Sequence, residues 1–348
     1  MAFTISKGSI AYVLPDSILI KDFAKTRRLL LPNLSHLLWY QNIGVPEGIR
    51  PFRDVEHDVC VIVTDQQPGE CLACSTTSYA AQTRALEVRK WQVQKSDMIL
   101  EEFEYAFNLM LKDEDLSILK KLRQFPRVDS FLQCHEGIHT GNVRELLFKQ
   151  NAGSKTCKPL FYGGGAGDVI CNYASQRSGW FVNYRKDIID KKKGEYASLR
   201  DEDIFRLPKI YISRTGNPFK AFLDEQSYAS NNFFSLQYTD RRQNTVENLK
   251  AVLPFIVSPV AQYFVRKFAA PRLGNTFVET KIIHLLKLRV PQVGGAVRNK
   301  LTMLVDKIIE KRRTEIAGDT SEWEREANTL VYESYGLCEF EISLIEGR

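Results

Sequence analysis

The chain has 348 residues, enough for two domains with buried cores, and its 44% hydrophobic and 26% charged residues are typical of globular proteins. No apolar run is long enough to span a membrane, and the N-terminus lacks the basic-then-apolar pattern of a signal peptide, so we expect no membrane partner. Seven cysteines without a repeated spacing favour reduced thiols and a cytoplasmic location, while the net charge of +6 is compatible with a polyanionic partner without proving one.

Residues 1–80 predict the closing part of an α/β domain. An apolar strand at residues 10–14 ends in Pro15-Asp16-Ser17, a basic helix follows at residues 21–31, and a second apolar strand spans residues 59–63. An α/β fold covers such strands with further parallel strands and helices. We therefore expect the missing strands to come from another polypeptide.

Residues 81–125 predict a largely helical connector. Leu116, Leu119 and Leu122 recur at helical spacing. The acidic run Asp113-Glu114-Asp115 stands in front of them, where it suits the positive end of a helix dipole. A broadly apolar stretch at residues 100–111 extends the same prediction toward the N-terminus.

Residues 126–335 predict a β-rich module closed by helices, and residues 336–348 a C-terminal tail. Short β-branched or aromatic runs, such as residues 209–213 and 233–238, are separated by glycine turns. Two later stretches, on either side of Gly318-Asp319, have helical spacing. The first of these carries Leu301, Leu304, Val305, Ile308 and Ile309. The whole chain therefore predicts an α+β fold, with a partial α/β unit, a β-rich domain and a C-terminal helical hairpin.

Four segments of the second half resemble one family, and they occur in that family's order. They are residues 136–142 (EGIHTGN), 158–163 (KPLFYG), 208–216 (PKIYISRTG) and 330–346, which begins LVYESYGL. They resemble the TaqI-like target-recognition (specificity) domain that follows the methyltransferase domain in Type IIG restriction–modification enzymes. Residues 9–64 are similar to the closing part of the adenine-specific methyltransferase domain of such systems.

The resemblance implies that residues 126–335 recognise DNA within a split or truncated adenine-specific methyltransferase of a restriction–modification or phage-defence system. The family's Asn/Asp/Ser-Pro-Pro-Tyr/Phe tetrapeptide and its strand-borne glycine loop for S-adenosylmethionine are not found in this sequence. We therefore expect no catalytic residue and no bound cofactor here, with S-adenosylmethionine held by a partner polypeptide that carries the N-terminal half. Two alternatives stay open: a stand-alone specificity subunit with a non-catalytic methyltransferase remnant, and a complete diverged methyltransferase whose cofactor loop is residues 163–168.

Phe52 is the candidate for holding the target base. An enzyme that modifies a base must take it out of the stack, and an aromatic face suits the extruded base. In the resembling methyltransferases an aromatic residue at this hairpin position stacks on the extruded adenine, and Phe52 matches it. Arg50 and Arg53 flank it and are candidates for phosphate contacts. The alternative is a phenylalanine in the hairpin core.

The remaining candidate DNA-binding residues are hydroxyls, amides and cations in the loops of the β-rich module. Arginine and asparagine form paired hydrogen bonds with base edges, whereas lysine mostly holds phosphate. The candidates are Thr140, Asn142, Lys191, Lys192, Lys193, Arg214, Thr215, Asn217, Lys220 and Asn232. A solvated surface position is the alternative for each of them, and their concentration in one module favours double-stranded DNA as the partner.

Three further motifs favour structural interpretations, so we expect no metal. His135 to His139 has the letters of a zinc-protease motif, but Gly137 and Gly141 penalise the helix that would bring both imidazoles to one metal. Residues 163–168 lack the strand–loop–helix context of a nucleotide-binding loop. Residues 71–74 form a Cys-x-x-Cys sequence without the second pair that a zinc ribbon needs.

Overall fold

The structure is a computed structural model that describes residues 8–20, 23–40, 46, 58–65, 71–80, 85–93, 99–100, 103, 106–107, 111–153, 155–216, 218–269 and 280–348. It divides the chain into two compact units, residues 1–116 and 117–348. The predicted site residues Arg50, Phe52, Arg53 and Asn217 lie outside the described residues, so their roles stay predictions.

The first unit contains a five-stranded sheet. Its strands are β1 Ile10–Pro15, β2 Leu34–Tyr40, β3 Val59–Thr64, β4 Cys71–Ala80 and β5 Ala85–Val93, in the order β1-β3-β2-β4-β5. Because β3 is antiparallel to both of its neighbours, β1 and β2 run parallel to each other. The short helices α1 Ser17–Ile20 and α2 Ala24–Leu30 lie between β1 and β2 in the chain. Both predicted apolar strands and the helix between them are confirmed.

The buried part of this unit centres on β3. Cys60 and Ile62 are fully buried, and so is Leu37 of β2, which is paired with Ile62. Arg27 of α2 is buried as well, and its Nη1 donates to the Ile18 carbonyl oxygen at 2.8 Å. β1 differs from β3, because half-buried and exposed residues alternate along it and Val13 is 57% exposed.

The prediction of a largely helical connector at residues 81–125 is wrong. Three strands lie in this segment: β5, β6 Ile99–Leu100 and β7 Ala106–Phe107. Helix α3, Asp113–Leu122, is the only helix of four or more residues among the described part of the segment, and it begins at the predicted acidic run. β5 pairs antiparallel with β4 over its whole length, and the helical spacing behind the prediction lies further along the chain, where it corresponds to α3 alone.

The second unit contains two four-stranded sheets. Their strands are β8 Leu132–Glu136, β9 Phe148–Lys149, β10 Cys157–Phe161, β11 Phe181–Asn183, β12 Lys209–Ser213, β13 Ala221–Asp224, β14 Tyr228–Ala229 and β15 Phe233–Tyr238. The sheet in the order β13-β12-β15-β8 is antiparallel throughout. The other sheet has the order β14-β10-β11-β9, and only its β10–β14 pair is parallel. The β-rich character predicted for this region is confirmed.

Helices pack on both sheets and close the unit. They are α4 Arg144–Leu147, α5 Asp203–Arg206, α6 Val246–Val257, α7 Pro259–Phe264, α8 Ile282–Leu286, α9 Gly295–Thr314, α10 Ser321–Tyr335 and α11 Glu339–Glu346. α6 is apolar on most sides because it packs against β12 and β13 and also against α9. α9 and α10 contact each other as the predicted hairpin, and all five apolar residues predicted on α9 are buried.

The two prolines of the α6 region behave differently. Pro254 lies inside α6, whereas Pro259 is the first residue of α7, and the Ser258 side chain caps the N-terminus of that helix. No single described helix is long and apolar enough to cross a membrane; Val246–Val257 and Pro259–Ala269, bent by 54° at their junction, pass that test only as a pair, by length and composition.

Candidate nucleic-acid interface

The two sheets of the second unit meet where the chain leaves β8. Gly137 donates its N–H to the Phe233 carbonyl oxygen at 3.0 Å, and Ile138 donates to the Ala229 carbonyl oxygen at 2.8 Å. A Cβ atom on Gly137 would lie 2.1 Å from the Ser230 carbonyl oxygen. This close crossing of two backbones therefore requires glycine at position 137.

The zinc-protease letters lie in this crossing and not on a helix. His135 belongs to β8, opposite Ser235, and His139 forms an isolated β-bridge with Ser198. The predicted absence of a helix here is confirmed. Burial lowers the pKa of His135, and Arg200 lowers it further against the opposing effect of Asp201. The described residues contain no cluster of three or more side chains that could hold a metal ion.

Asn142 joins the turn after the crossing to a second, lysine-rich turn. Its Nδ2 donates to the Gly194 carbonyl oxygen at 3.1 Å, and its Oδ1 accepts the Tyr196 N–H at 2.9 Å. Gly141 has a φ of +53°, and a Cβ there would lie 1.9 Å from the Tyr196 carbonyl oxygen. Both polar groups of the Asn142 side chain thus hold the neighbouring turn. Thr140, half-buried in the same turn, accepts the Val143 N–H with its carbonyl oxygen at 3.0 Å.

The second turn, residues 190–196, is called the lysine turn here. Asp190 accepts the Lys192 N–H at 3.0 Å, and Gly194 closes the turn with a φ of +77°. Lys191, Lys192 and Lys193 are exposed, and the Lys193 Nζ lies 3.6 Å from an Asp190 carboxylate oxygen. Three ammonium groups are therefore presented on long, mobile side chains, a form suited to phosphate.

Arg214 is tied to the scaffold. Its Nη1 donates to Glu136 Oε1 at 2.7 Å and lies 3.4 Å from the Asn231 carbonyl oxygen. Arg200 binds the other oxygen of the same carboxylate and donates to the Gly137 carbonyl oxygen. Two guanidinium groups thus share the single carboxylate of Glu136 at the end of β8.

An open cavity with a volume of about 680 Å³ lies beside this network and is called the concave site here. It is lined by Arg144, Tyr162, Trp180, Thr215, Lys220 and Asn232, with the glycines of residues 163–165. The structure thus brings three predicted residues, Thr215, Lys220 and Asn232, to one place. Thr215 and Asn232 are exposed and Lys220 is half-buried.

Aromatic side chains form one wall of the concave site. The Tyr162 ring meets Trp180 at a centroid distance of 4.9 Å and Phe148 at 5.0 Å, both edge to face. The Arg144 guanidinium carbon lies 5.0 Å from the Tyr162 ring centroid. Trp180 donates its Nε1–H to the Ala166 carbonyl oxygen at 3.2 Å. This wall is held by packing on one side and by a hydrogen bond to the glycine loop on the other.

Asp168 organises the glycine loop. Its buried carboxylate accepts the Tyr162 and Gly163 N–H groups at 2.6 and 2.7 Å, and the N–H and hydroxyl of Ser178 at 2.7 and 2.8 Å. The Ala166 and Gly167 N–H groups bond to loop carbonyls. The N–H groups of Tyr162, Gly163, Ala166 and Gly167 are thus engaged within the protein.

Asn232 stands across the loop from Asp168. Its Nδ2 donates to the Tyr162 carbonyl oxygen at 2.8 Å, and Ser230 Oγ donates to the same oxygen at 2.7 Å. Gly163, with a φ of +134°, leaves room for the Asn232 amide, which a Cβ would approach to 3.0 Å. The exposed carboxamide is therefore oriented before any ligand arrives.

Sequence reasoning missed Arg144, Tyr162 and Trp180. Tyr162 was noted only as part of the family segment 158–163, and Arg144 and Trp180 were not singled out as site residues. The sequence signals were an arginine two residues after Asn142 and, in separate segments, two aromatic residues that adjoin glycines.

Comparison with known proteins agrees with the resemblance of the second half. Residues 166–290 match the family described as the TaqI-like C-terminal specificity domain, and this range includes the lysine turn and much of the concave site. No curated protein matches the chain in sequence.

Solved structures of restriction–modification enzymes are similar to nearly the whole chain. The Type IIL enzyme MmeI in complex with DNA matches with a TM-score of 0.57 at 9% identity, over 98% of this chain and 49% of that one. The type IIG restriction endonuclease BpuSI matches with a TM-score of 0.41 at 13% identity, over 96% and 47%. The chain spans about half the length of these proteins. The likeness is thus a TaqI-like specificity domain at residues 166–290 and a fold shared with a restriction–modification enzyme.

Proposed function

We propose that the chain recognises double-stranded DNA by sequence through residues 126–335. The concave site carries this proposal, because it brings an oriented amide and two cations, Arg144 and Lys220, to one surface with an aromatic wall, and most of its lining residues lie in the segment similar to TaqI-like specificity domains. Direct reading of a base edge needs side chains of this kind, held in a fixed orientation. The fold shared with MmeI, whose structure contains DNA, supports the same function.

The two charged regions would divide the contacts between phosphate and base. The lysine turn presents ammonium groups that hold phosphates without sequence preference. The concave site presents Asn232, whose carboxamide suits the N6 and N7 edge of adenine. Thr140 and Asn142 support the turns, and Arg214 sets the end of β8 through Glu136.

Binding of random and selected duplexes by the full chain tests this function. Selection from a pool of random duplexes should enrich a defined sequence, and titrations with that duplex and a scrambled one should differ in affinity. Affinity for both should fall steeply with salt, because phosphate neutralisation releases counterions. Equal affinity for all duplexes, or no binding at low salt, would refute the proposal.

We also propose that this recognition serves an adenine-specific DNA methyltransferase that is completed by a partner polypeptide in a cytoplasmic restriction–modification or phage-defence system. The first unit supports this, since parallel β1 and β2 joined through α1 and α2 form an α/β element, and Val13 leaves a face of β1 exposed. The partner would supply catalysis and S-adenosylmethionine. The isolated chain should then give no heat with S-adenosylmethionine in calorimetry; stoichiometric micromolar binding would favour the complete-enzyme alternative.

Phe52 has a role in this proposal that only the reconstituted complex can reveal. A duplex with 2-aminopurine at the target position should brighten when the base leaves the stack. Stacking on an aromatic ring contributes on the order of 1–3 kcal/mol, so Phe52→Ala should change this signal and slow methylation while site affinity stays nearly intact. Unfolding of the variant would instead favour the core position, and an unchanged signal and rate would place the stacking elsewhere.

A further inference from the structure

We propose that Arg144 reads a guanine in the DNA target and is the principal specificity-determining arginine of the concave site. The inference rests on the proposed function and assigns a chemical class of base to one side of that site. A guanidinium can donate two parallel hydrogen bonds to O6 and N7 of guanine in the major groove, and this is the commonest specific arginine contact.

The placement of Arg144 is the first support. It is the first residue of α4, its side chain is exposed, and it lines the concave site together with Lys220 and Asn232. Asn142, two residues earlier, holds the lysine turn. The Asn142 hydrogen bonds therefore tie the lysine turn directly to the turn that leads into Arg144.

The support beneath the guanidinium is the second observation. Arg144 lies over the Tyr162 ring, and that ring is fixed by edge contacts with Phe148 and Trp180. The backbone of Tyr162 is fixed too, by Asp168 at its N–H and by Asn232 and Ser230 at its carbonyl oxygen. A stacked guanidinium loses less side-chain entropy on binding than a free one, and its fork is already oriented.

The available donors distinguish Arg144 from the predicted reader Arg214. Arg214 is engaged by Glu136 and by the Asn231 carbonyl oxygen. Among the residues that the structure describes, no carboxylate pairs with Arg144, whose guanidinium lies against the Tyr162 ring. Lys220 shares the site but offers a point charge, which cannot make the paired contact that distinguishes guanine.

Base preferences of matched variants test the assignment. Duplexes are selected from a random pool with the wild-type chain, Arg144→Ala, Arg144→Lys and the control Arg325→Ala, which removes an exposed arginine on α10. Wild type should show at least one guanine position whose preference falls about 5- to 150-fold in both Arg144 variants, while other positions keep theirs. Arg325→Ala should reproduce the wild-type preferences.

Arg144→Lys separates base reading from charge. It keeps the charge and the aliphatic stem, so it should fold normally and lower affinity for the selected duplex without changing the salt dependence. If Arg144→Ala weakens all duplexes equally and Arg144→Lys restores them, the residue contacts phosphate and the inference is wrong. The inference is also wrong if the site selected by wild type contains no guanine, or if the preference for its guanines is unchanged in the Arg144 variants. Absence of any sequence preference in wild type would instead refute the proposed function itself.

Discussion

The lysine turn and the concave site present positive charge in opposite ways. Lys191, Lys192 and Lys193 project from a short turn whose backbone is held by Asp190 and Asn142, and their side chains are exposed. Arg144 lies on an aromatic wall, and beside it the Asn232 amide is fixed by the Tyr162 carbonyl oxygen. Mobile charge suits a uniform polyanion, whereas a fixed fork and a fixed amide suit one arrangement of donors and acceptors.

The largest expected effect comes from Asp168→Ala. This substitution removes a support of the concave site and leaves the lysine turn untouched. The buried carboxylate accepts four hydrogen bonds, so its loss leaves three backbone N–H groups and a hydroxyl without a partner. We expect a loss on the order of 3 kcal/mol in the free energy of unfolding, measured by urea denaturation. Sequence preference should fall while salt-dependent binding through the lysine turn persists.

Asp187→Ala is the matched control, since Asp187 is an exposed carboxylate paired with Arg185. Solvent screens such an exposed pair, so the unfolding midpoint should barely move. Equal destabilisation by the two variants would show that the glycine loop does not depend on Asp168.

Replacing Lys191, Lys192 and Lys193 together by alanine removes the positive charge of the lysine turn and leaves the concave site unchanged. Affinity should fall by a similar factor for selected and scrambled duplexes, because phosphate contacts carry no base information. The slope of log affinity against log salt should decrease by about 1 for each phosphate that the variant no longer neutralises. Lys307→Ala, on an exposed position of α9, is the control. A change in base preference would place these lysines among the base-reading residues.

Asn142→Ala tests the connection between the two regions. It removes the hydrogen bonds to Gly194 and Tyr196, which together should cost about 1–2 kcal/mol in stability because the site is exposed. DNA affinity should weaken while the base preferences set by the concave site are retained. Asn151→Ala, at another exposed position, should change neither. Loss of base preference in Asn142→Ala would contradict the division of roles.

The smallest expected effect is a pH dependence of the stability that comes from His135, which lies on β8, the strand that ends at the Gly137 crossing. Burial lowers its pKa in the folded state, so the unfolded chain binds the proton more readily. Stability should therefore decrease as the pH falls from about 7.5 to about 5.5, and His135→Gln should show less of this decrease. Denaturation midpoints at each pH measure it, with the exposed His139→Gln as control. An identical decrease in His135→Gln and wild type would assign the effect to other groups.

The sequence predicted the helices of the second unit well because one apolar face is sufficient to define them. Leu304 and Ile308 follow helical spacing and are buried where α9 packs on α6. β5 was missed because strand pairing is non-local: the partner strand β4 decides it, and no pattern within residues 85–93 reports that partner.

The candidate site could be predicted only in part, because some of its contacts, like the pairing of β5 with β4, join distant parts of the chain. Lysine and asparagine in loops can be read as DNA contacts from residue type alone. The pairing of Arg214 with Glu136 joins residues 78 positions apart, and the position of Arg144 over Tyr162 depends on the fold bringing α4 beside the end of β10. Which arginine is engaged and which is available follows from the fold, and residue type does not report it.

The glycine crossing at the end of β8 makes the interface modular. Gly137 packs on the Ser230 backbone, so the lysine turn and the concave site are both positioned from this one junction, the first through residues 139–142 and the second through residues 230–232. Side chains on either side can change without shifting the strands beneath. Under the proposed function, base preference and general affinity for DNA would therefore diversify separately, each by changes on its own side of a crossing that keeps Gly137 against the Ser230 backbone.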